Sequence, residues 1–465
     1  MTSSPALSGA DLSRAATGAA AALRAALAGE VLMAADPGYR EARQLWNAAV
    51  DHRPAVLARC TGEPDVVAAV RIAREHGLPL SVRGGGHDWA GRALREGGVV
   101  LDLSGLREVT VDPASGTAEV QGGVRAGDVI GAAQAHGFAP VTGTVKAVGV
   151  TGLTLGGGYG LLAGAHGLAC DNLLSARVVL ADGRAVTASP EENPDLFWAL
   201  RGGGGNFGVL TSLRLRVHPL TTVTSGLLLY PLERAAAVLR HHAEIVAEAP
   251  DELTVMAGFF AVPDAEPLAF LLPLWAGEPA AAAPWASLLA KLGGAVAGEF
   301  TQVPYLQVAG LFDDSVANGR HTEMRTRWLP ALGEESIAVL TEAAARMAAP
   351  YSGIFLHHFH GAASRVPPAD TAFGLRQDHL LVEIAASWAP GDIAGEAHRQ
   401  WARRLSADLA GHALPGGYPN LMGADESERA LLGFGANAER LLAVKRRFDP
   451  AAVFSGVPAL PAGNG

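Results

Sequence analysis

The chain is short of cysteine, of basic clusters and of long apolar runs, and each shortage removes a class of protein. Two cysteines, Cys60 and Cys170, among 465 residues cannot build a disulfide framework, so nothing calls for an oxidising compartment. The formal net charge is −10 and no segment gathers lysine or arginine, which argues against a nucleic-acid or anionic-membrane partner. No apolar run reaches the roughly 18 residues that a membrane-spanning helix needs. The alanine-rich stretch 15–28 imitates the core of a signal peptide, but Arg24 interrupts it and Asp11 and Arg14 precede it. An alanine-rich helix accounts for it better, and a cytoplasmic protein is expected.

Glycine is in excess: 57 of 465 residues, well above the usual share of about 7%. Apolar residues still make up 49%, so the glycines punctuate a globular chain, and the length argues for two domains. Three clusters stand out. A short apolar strand, 78–82, runs into Arg83-Gly84-Gly85-Gly86-His87-Asp88. Glycines there let the backbone approach a ligand and present N–H groups to an anion, and the histidine sits where a bound cofactor must be. Alone, a glycine turn with an unrelated imidazole explains the segment as well. It is joined by Gly156-Gly157-Gly158-Tyr159-Gly160 and by Gly202-Gly203-Gly204-Gly205-Asn206-Phe207-Gly208, with the small-residue stretch 140–152 between the first and second clusters.

The first half alternates short helices and strands: a helix over 64–76 with proline in its first turn, strands at 97–103 and 117–121, and a helix over 126–135. Gly158-x-Gly160-x-x-Ala163 fits a dinucleotide-binding pattern, with Asp182 at a suitable distance for a ribose. Asp182-Gly183, however, lies between strands 176–180 and 185–188 and signals a two-residue hairpin. A Rossmann unit requires a helix and a parallel strand there, so that reading is rejected. From about 221 the chain changes to strand-like runs (224–230, 253–262, 268–275, 354–360, 380–388) separated by helix-like ones (232–248, 280–292). This predicts an antiparallel sheet with helices on one face, an α+β architecture.

Taken in order, the glycine clusters, the 140–152 stretch, Tyr418-Pro419-Asn420 and the segment 439–450 resemble the berberine-bridge-enzyme-like oxidases. These belong to the vanillyl-alcohol-oxidase (PCMH-type) flavoprotein superfamily, and the likeness extends from about His52 to Phe454. The resemblance implies an N-terminal helical extension over 1–50, a PCMH-type FAD-binding domain of two α/β subdomains over 51–220, an inserted antiparallel-sheet substrate domain over 221–410, and a segment over 411–465 that returns to the FAD domain. It implies FAD bound covalently through His87 by a single link, because Val145 stands where many relatives carry a second, cysteinyl attachment. Cys170 is expected to be a buried small hydrophobe. Arg83, Gly84, Gly85, Gly86 and Asp88 are assigned to the cofactor, with Thr142, Gly143, Thr144, Val148, Gly149, Gly152, Asn172, Gly205, Val209, Tyr418 and Asn420. Val148 occupies a position where side-chain size in the family governs oxygen access, and valine favours an oxidase.

Tyr418 and Tyr159 match active-site tyrosines of the family. Tyr418 is the expected base for the substrate's proton, with Glu383 or Tyr159 in reserve; a phenol of ordinary pKa, about 10, is a poor base at neutral pH, so it would need a cation or the flavin's field beside it. Glu383 is suggested by alternation in the strand 380–388, opposite Val382, Ile384 and Ala386. His358 and His360 share one face of 354–360. With no third ligand in reach they are assigned to substrate contact rather than to a metal. The role of His166, where relatives often carry tyrosine, is left open. The expected protein is an FAD-dependent oxidase that takes a hydride from an alcohol or amine C–H of a small organic molecule (a sugar, alkaloid or natural-product intermediate) and passes the electrons to O2 as H2O2. Alternatives are an amine oxidase of the 6-hydroxy-D-nicotine oxidase type and a flavin-binding protein without turnover. Substrate and O2 are the expected partners; self-association as a homodimer is left open.

Overall fold

A computed structural model describes residues 9–456 and 459–460; the ends of the expected N-terminal extension and C-terminal segment lie outside these. The first sheet has the order β1 (Val31–Leu32), β2 (Val56–Arg59), β4 (Val99–Asp102), β3 (Leu80–Arg83). β4 runs parallel to both β2 and β3, and β1 is antiparallel to β2. Helices Gly9–Ala26 and Glu63–Glu75 cover it. Ala19, Ala20 and Leu23 of the first helix bury into the same core as Val66, Val70 and Leu101. The alanine-rich stretch is therefore a packed helix: small side chains let it lie close to the sheet.

The second sheet is antiparallel: β5 (Val109–Asp112), β6 (Thr117–Gln121), β10 (Val209–Pro219), β8 (Leu173–Val179) and β9 (Ala185–Ala188), with β7 (Phe138–Pro140) also against β10. β8 and β9 form the hairpin that excludes a Rossmann unit. The connection is one residue longer than expected. Leu180 and Arg184 are hydrogen-bonded across it, and the loop Ala181-Asp182-Gly183 closes with Gly183 at φ +77°, the left-handed conformation that ends a three-residue hairpin loop.

The third sheet has eight antiparallel strands in the order β15 (Thr301–Pro304), β11 (Thr222–Ser225), β14 (Leu268–Trp275), β13 (Leu253–Phe260), β17 (Gly353–Phe359), β18 (His379–Trp388), β16 (His321–Leu329), with β12 (Leu228–Pro231) also on β14. The expected single strand 224–230 is two, because Gly226 passes against the Glu299 carbonyl and breaks the run. β10 and β16 were not anticipated. β10 alternates Leu213, Leu215 and Val217 with polar residues, a readable signal. β16 was concealed by its charges, since Glu323 and Arg325 are buried as an ion pair at 2.7 Å. Helices Ala235–Glu248, Glu334–Ala345 and Gly395–Asp408 cover one face of this sheet, and the other looks toward the first two sheets. Helix Ala438–Phe448 then packs on Pro194–Leu200 beside the second sheet. Among the described residues, no helix is long and apolar enough to cross a membrane.

Burial holds several imidazoles neutral: His242, fully enclosed with Nε2 on the Val255 carbonyl at 3.0 Å, is pushed down to about 4, as is His360. In the unfolded chain these rings titrate near 6.5. The unfolded state therefore binds more protons between about pH 4 and 6.5, and their stabilising contribution is complete above that window and lost as pH falls through it. Calorimetry should show Tm declining from pH 7 to 4.5; a flat profile would contradict neutral burial of these rings.

Candidate active site

One cavity of about 580 Å3 lies where the third sheet meets the two smaller ones, lined from all three. Its floor is built from glycine backbone. The turn after β3 and the segment before helix Val150–Leu155 touch directly: a Cβ on Gly85 would sit 2.4 Å from the Gly149 nitrogen, and one on Gly149 would sit 2.5 Å from the Gly85 nitrogen. Only glycine permits this approach from either side. At Gly152 and Gly205, by contrast, an added Cβ meets nothing within 4 Å, and both line the cavity. These positions leave room for a ligand.

Gly84, Gly85, Gly86, His87, Asp88, Gly143, Thr144, Val148, Gly149, Gly152, Gly205, Tyr159, Glu383, Tyr418 and Asn420 all reach the cavity. Six assigned residues do not. Arg83 turns its guanidinium back to the Ala42 carbonyl. Thr142 is fully buried, and Val209 points into the core of the first sheet, with opposite parity to the cavity-lining Gly208 and Leu210. Asn172 donates to the His166 and Leu168 carbonyls at 2.9 Å and meets His218 Nε2 at 2.8 Å, so it holds a loop. His218 in turn stacks on His166 at 3.7 Å. His358 and His360 stack on each other at 3.7 Å, away from the cavity, and the expectation that they meet substrate is corrected. Their neighbour His357 is the ring that enters. β17 pairs with β18 so that Phe355 lies opposite Glu383; odd-numbered residues of both strands therefore share the cavity face.

His87 is pushed down to about 4, first by burial and then by Arg125, so its imidazole is neutral at physiological pH. Nε2 is buried with no hydrogen-bond partner among the described residues. Tyr418 is buried, and its oxygen accepts from the Gly158 N–H at 3.1 Å and from Asn420 Nδ2 at 2.9 Å. Asn420 also donates to the Leu153 carbonyl at 3.0 Å, tying this tyrosine to the glycine floor. Those two donors favour a phenolate, but burial outweighs them and raises the Tyr418 pKa. Tyr159 packs edge-on against Tyr418 at 4.8 Å, and its hydroxyl lies 2.6 Å from His379 Nε2. His379 Nδ1 faces the Gln377 carbonyl at 2.8 Å and must carry the ring proton, so Nε2 accepts and Tyr159 donates. Glu383 Oε2 lies 3.1 Å from His357 Nε2, both half-enclosed at the cavity roof. Cys170 is free and buried, with its thiol pKa raised by burial.

Trp46, His357 and His379 were missed as site residues. Trp46 lies outside every recognisable motif, and His379 is placed by its partner alone. Alternation could have suggested His357, had the parity of its strand been known.

The antiparallel second sheet, the glycine floor and a neutral histidine at its edge define a PCMH-type flavoprotein. An orphaned ring nitrogen and open space over Gly152 and Gly205 fit FAD. Comparison with known proteins agrees. An FAD-binding domain family matches residues 54–189, and a berberine and berberine-like family matches residues 417–458. The chain is 32% identical to the FAD-linked oxidoreductase pgmH of Aspergillus terreus over 95% of each chain. It is 42% identical to (R)-6-hydroxynicotine oxidase of Paenarthrobacter nicotinovorans over 192 residues, 41% of this chain and 42% of that one. The crystal structure of 6-hydroxy-D-nicotine oxidase from Arthrobacter nicotinovorans superposes with a TM-score of 0.86 at 28% identity, over 94% of this chain and 98% of that one. The chain belongs to the berberine-bridge-like family of FAD-linked oxidoreductases.

Gly152→Val and Gly205→Val should leave folding intact, since each new side chain enters open space, yet reduce co-purified flavin severalfold. Absorbance of the purified variants at equal protein concentration checks this; full flavin content in both would remove these positions from the cofactor floor.

Proposed function

We propose that this chain is an oxidase with FAD attached by one bond to His87, acting on a small alcohol or amine and returning electrons to O2 as H2O2. The observation that carries the reading is a neutral imidazole at the end of a glycine cradle, its Nε2 without a hydrogen-bond partner among the described residues, sharing one cavity with a carboxylate–imidazole pair. Bound FAD supplies a hydride acceptor. Gly84, Gly85 and Gly86 would hold it by backbone, Gly143 and Gly149 would lie along it, and Val148 would leave room for oxygen. Val145 carries no thiol, which supports one link rather than two.

The remaining chemistry belongs to side chains. Loss of a hydride from carbon requires the attached heteroatom to give up a proton. Burial keeps Tyr418 protonated, and the nearby imidazole, His379, is engaged by Tyr159; among the described residues no cation is a cause of the Tyr418 shift. Glu383 is therefore the better proton acceptor, with His357 fixing its carboxylate. Tyr418, whose oxygen already accepts two hydrogen bonds, has its own proton free to donate to the substrate heteroatom. Tyr159 fixes Tyr418 by edge-on packing. An amine substrate is favoured by a carboxylate at the roof and by the 42% identity to a nicotine-type oxidase over part of the chain; an amine that binds neutral would depend least on a protein base.

Acid precipitation should leave the yellow colour in the protein pellet, and His87→Ala should move any remaining flavin to the supernatant. A colourless wild-type pellet would rule out attachment while leaving FAD binding open. With the best substrate from a peroxide-coupled screen of alcohols and amines, Glu383→Gln should slow anaerobic flavin reduction by about 10²–10⁴-fold if an alcohol is the donor. Tyr418→Phe should cost about tenfold, the worth of one hydrogen bond. The reverse ranking would make Tyr418 the base.

A further inference from the structure

The immediate neighbour of His87 comes from far away in sequence. Trp46 lies flat against its ring, centroids 4.6 Å apart and planes 15° from parallel. The indole is itself fixed on several sides. Its backbone N–H donates to the Gly86 carbonyl at 3.1 Å, Nε1 donates to the Val316 carbonyl at 2.5 Å, and its carbonyl accepts from the Gly319 N–H at 3.2 Å. Next to it, Asn47 Nδ2 donates to the Trp89 and Thr322 carbonyls at 2.7 and 2.9 Å. Trp46 is thus clamped between the glycine cradle and the third sheet.

Among the described residues, none supplies His87 with the carboxylate or carbonyl that usually orients a reactive histidine. The charges that act on it are Arg125, which disfavours a cationic ring, and Asp313, whose carboxylate is occupied by Lys146 Nζ at 3.1 Å. Bonding to the flavin nevertheless converts this neutral ring into one that carries positive charge when protonated. An aromatic face stabilises such a charge by about 0.5–2 kcal/mol, and indole does so best.

We infer that Trp46 is a positioning residue for flavin attachment: it sets the plane of the His87 ring and stabilises the positive charge the ring carries as its nitrogen bonds to carbon, before the ring proton leaves. This rests on covalent attachment at His87. The bond joins a ring nitrogen to the carbon of the flavin's 8α-methyl group; that carbon and the imidazole each lose one hydrogen, and the two electrons and two protons convert O2 to H2O2.

The test uses full-length apoprotein expressed under riboflavin limitation and then mixed with FAD in air. Acid-insoluble flavin is followed with time, and FAD affinity is measured separately by fluorescence quenching. Trp46→Leu should bind FAD with wild-type affinity but link it about 10-fold more slowly, within the roughly 2- to 30-fold range that a 0.5–2 kcal/mol face implies. Trp46→Phe should fall between the two. In the linked proteins, the imidazole titration seen in the flavin spectrum should move to lower pH for the leucine variant, a shift that a purely structural loss would not produce. Wild-type linking rates in both variants would overturn the inference. If the leucine variant does not fold, the phenylalanine variant decides: slower linking at unchanged affinity supports the role, and an unchanged rate refutes it. No acid-insoluble flavin in the wild type would refute attachment itself.

Discussion

The architecture of the site depends on a contact that no side chain could survive. Gly85 and Gly149 meet backbone to backbone, and a Cβ on either would fall about 2.5 Å from the other's nitrogen. This contact brings the parallel sheet of the first subdomain and the antiparallel sheet of the second to one line, and along it their glycine turns become a continuous floor. Separating the two sheets would break that floor between Gly86 and Gly152. Room for a cofactor and closure of the fold thus follow from the same missing side chains.

Around the floor, polar groups are arranged so that few are left to choose between partners. Tyr159 donates a hydrogen bond to His379, whose other nitrogen is held by a carbonyl. Tyr418 receives two donors. The buried Arg376 binds Asp171 through both nitrogens at 2.8 and 2.9 Å, tying the third sheet's domain to the loop below Tyr159. At the far end Lys445, wholly enclosed, donates to Asn206, Asp449 and Phe454, and so locks the third glycine cluster against the C-terminal helix. Satisfied networks of this kind rigidify a site. They leave Glu383 with His357 facing the cavity, and His87 Nε2 without a hydrogen-bond partner among the described residues.

Much of this was legible in the chain. The glycine clusters marked the floor because the close approach of Gly85 and Gly149 needs glycine. Asp182-Gly183 disclosed an antiparallel return and so removed the nucleotide fold that a motif match alone would have suggested. Glu383 was found by alternation because Val382, Ile384 and Ala386 defined the opposite face. The same logic failed one strand away. In β17 both faces are buried, one under helices and one over the cavity, so hydrophobic alternation carries no parity signal, and His358 was chosen where His357 faces the site. Arg83 and Val209 failed by the same margin, each one residue from a position that does line the cavity.

Local sequence therefore determined the glycine floor, the β8–β9 hairpin and the parity of Glu383, because backbone freedom and alternation are properties of a residue and its near neighbours. Tertiary structure alone decided which face of a doubly buried strand looks inward, that His379 holds Tyr159, and that Trp46 lies on His87. Those facts depend on register between strands and on contacts spanning tens to hundreds of residues, and nothing in a local pattern encodes such distances.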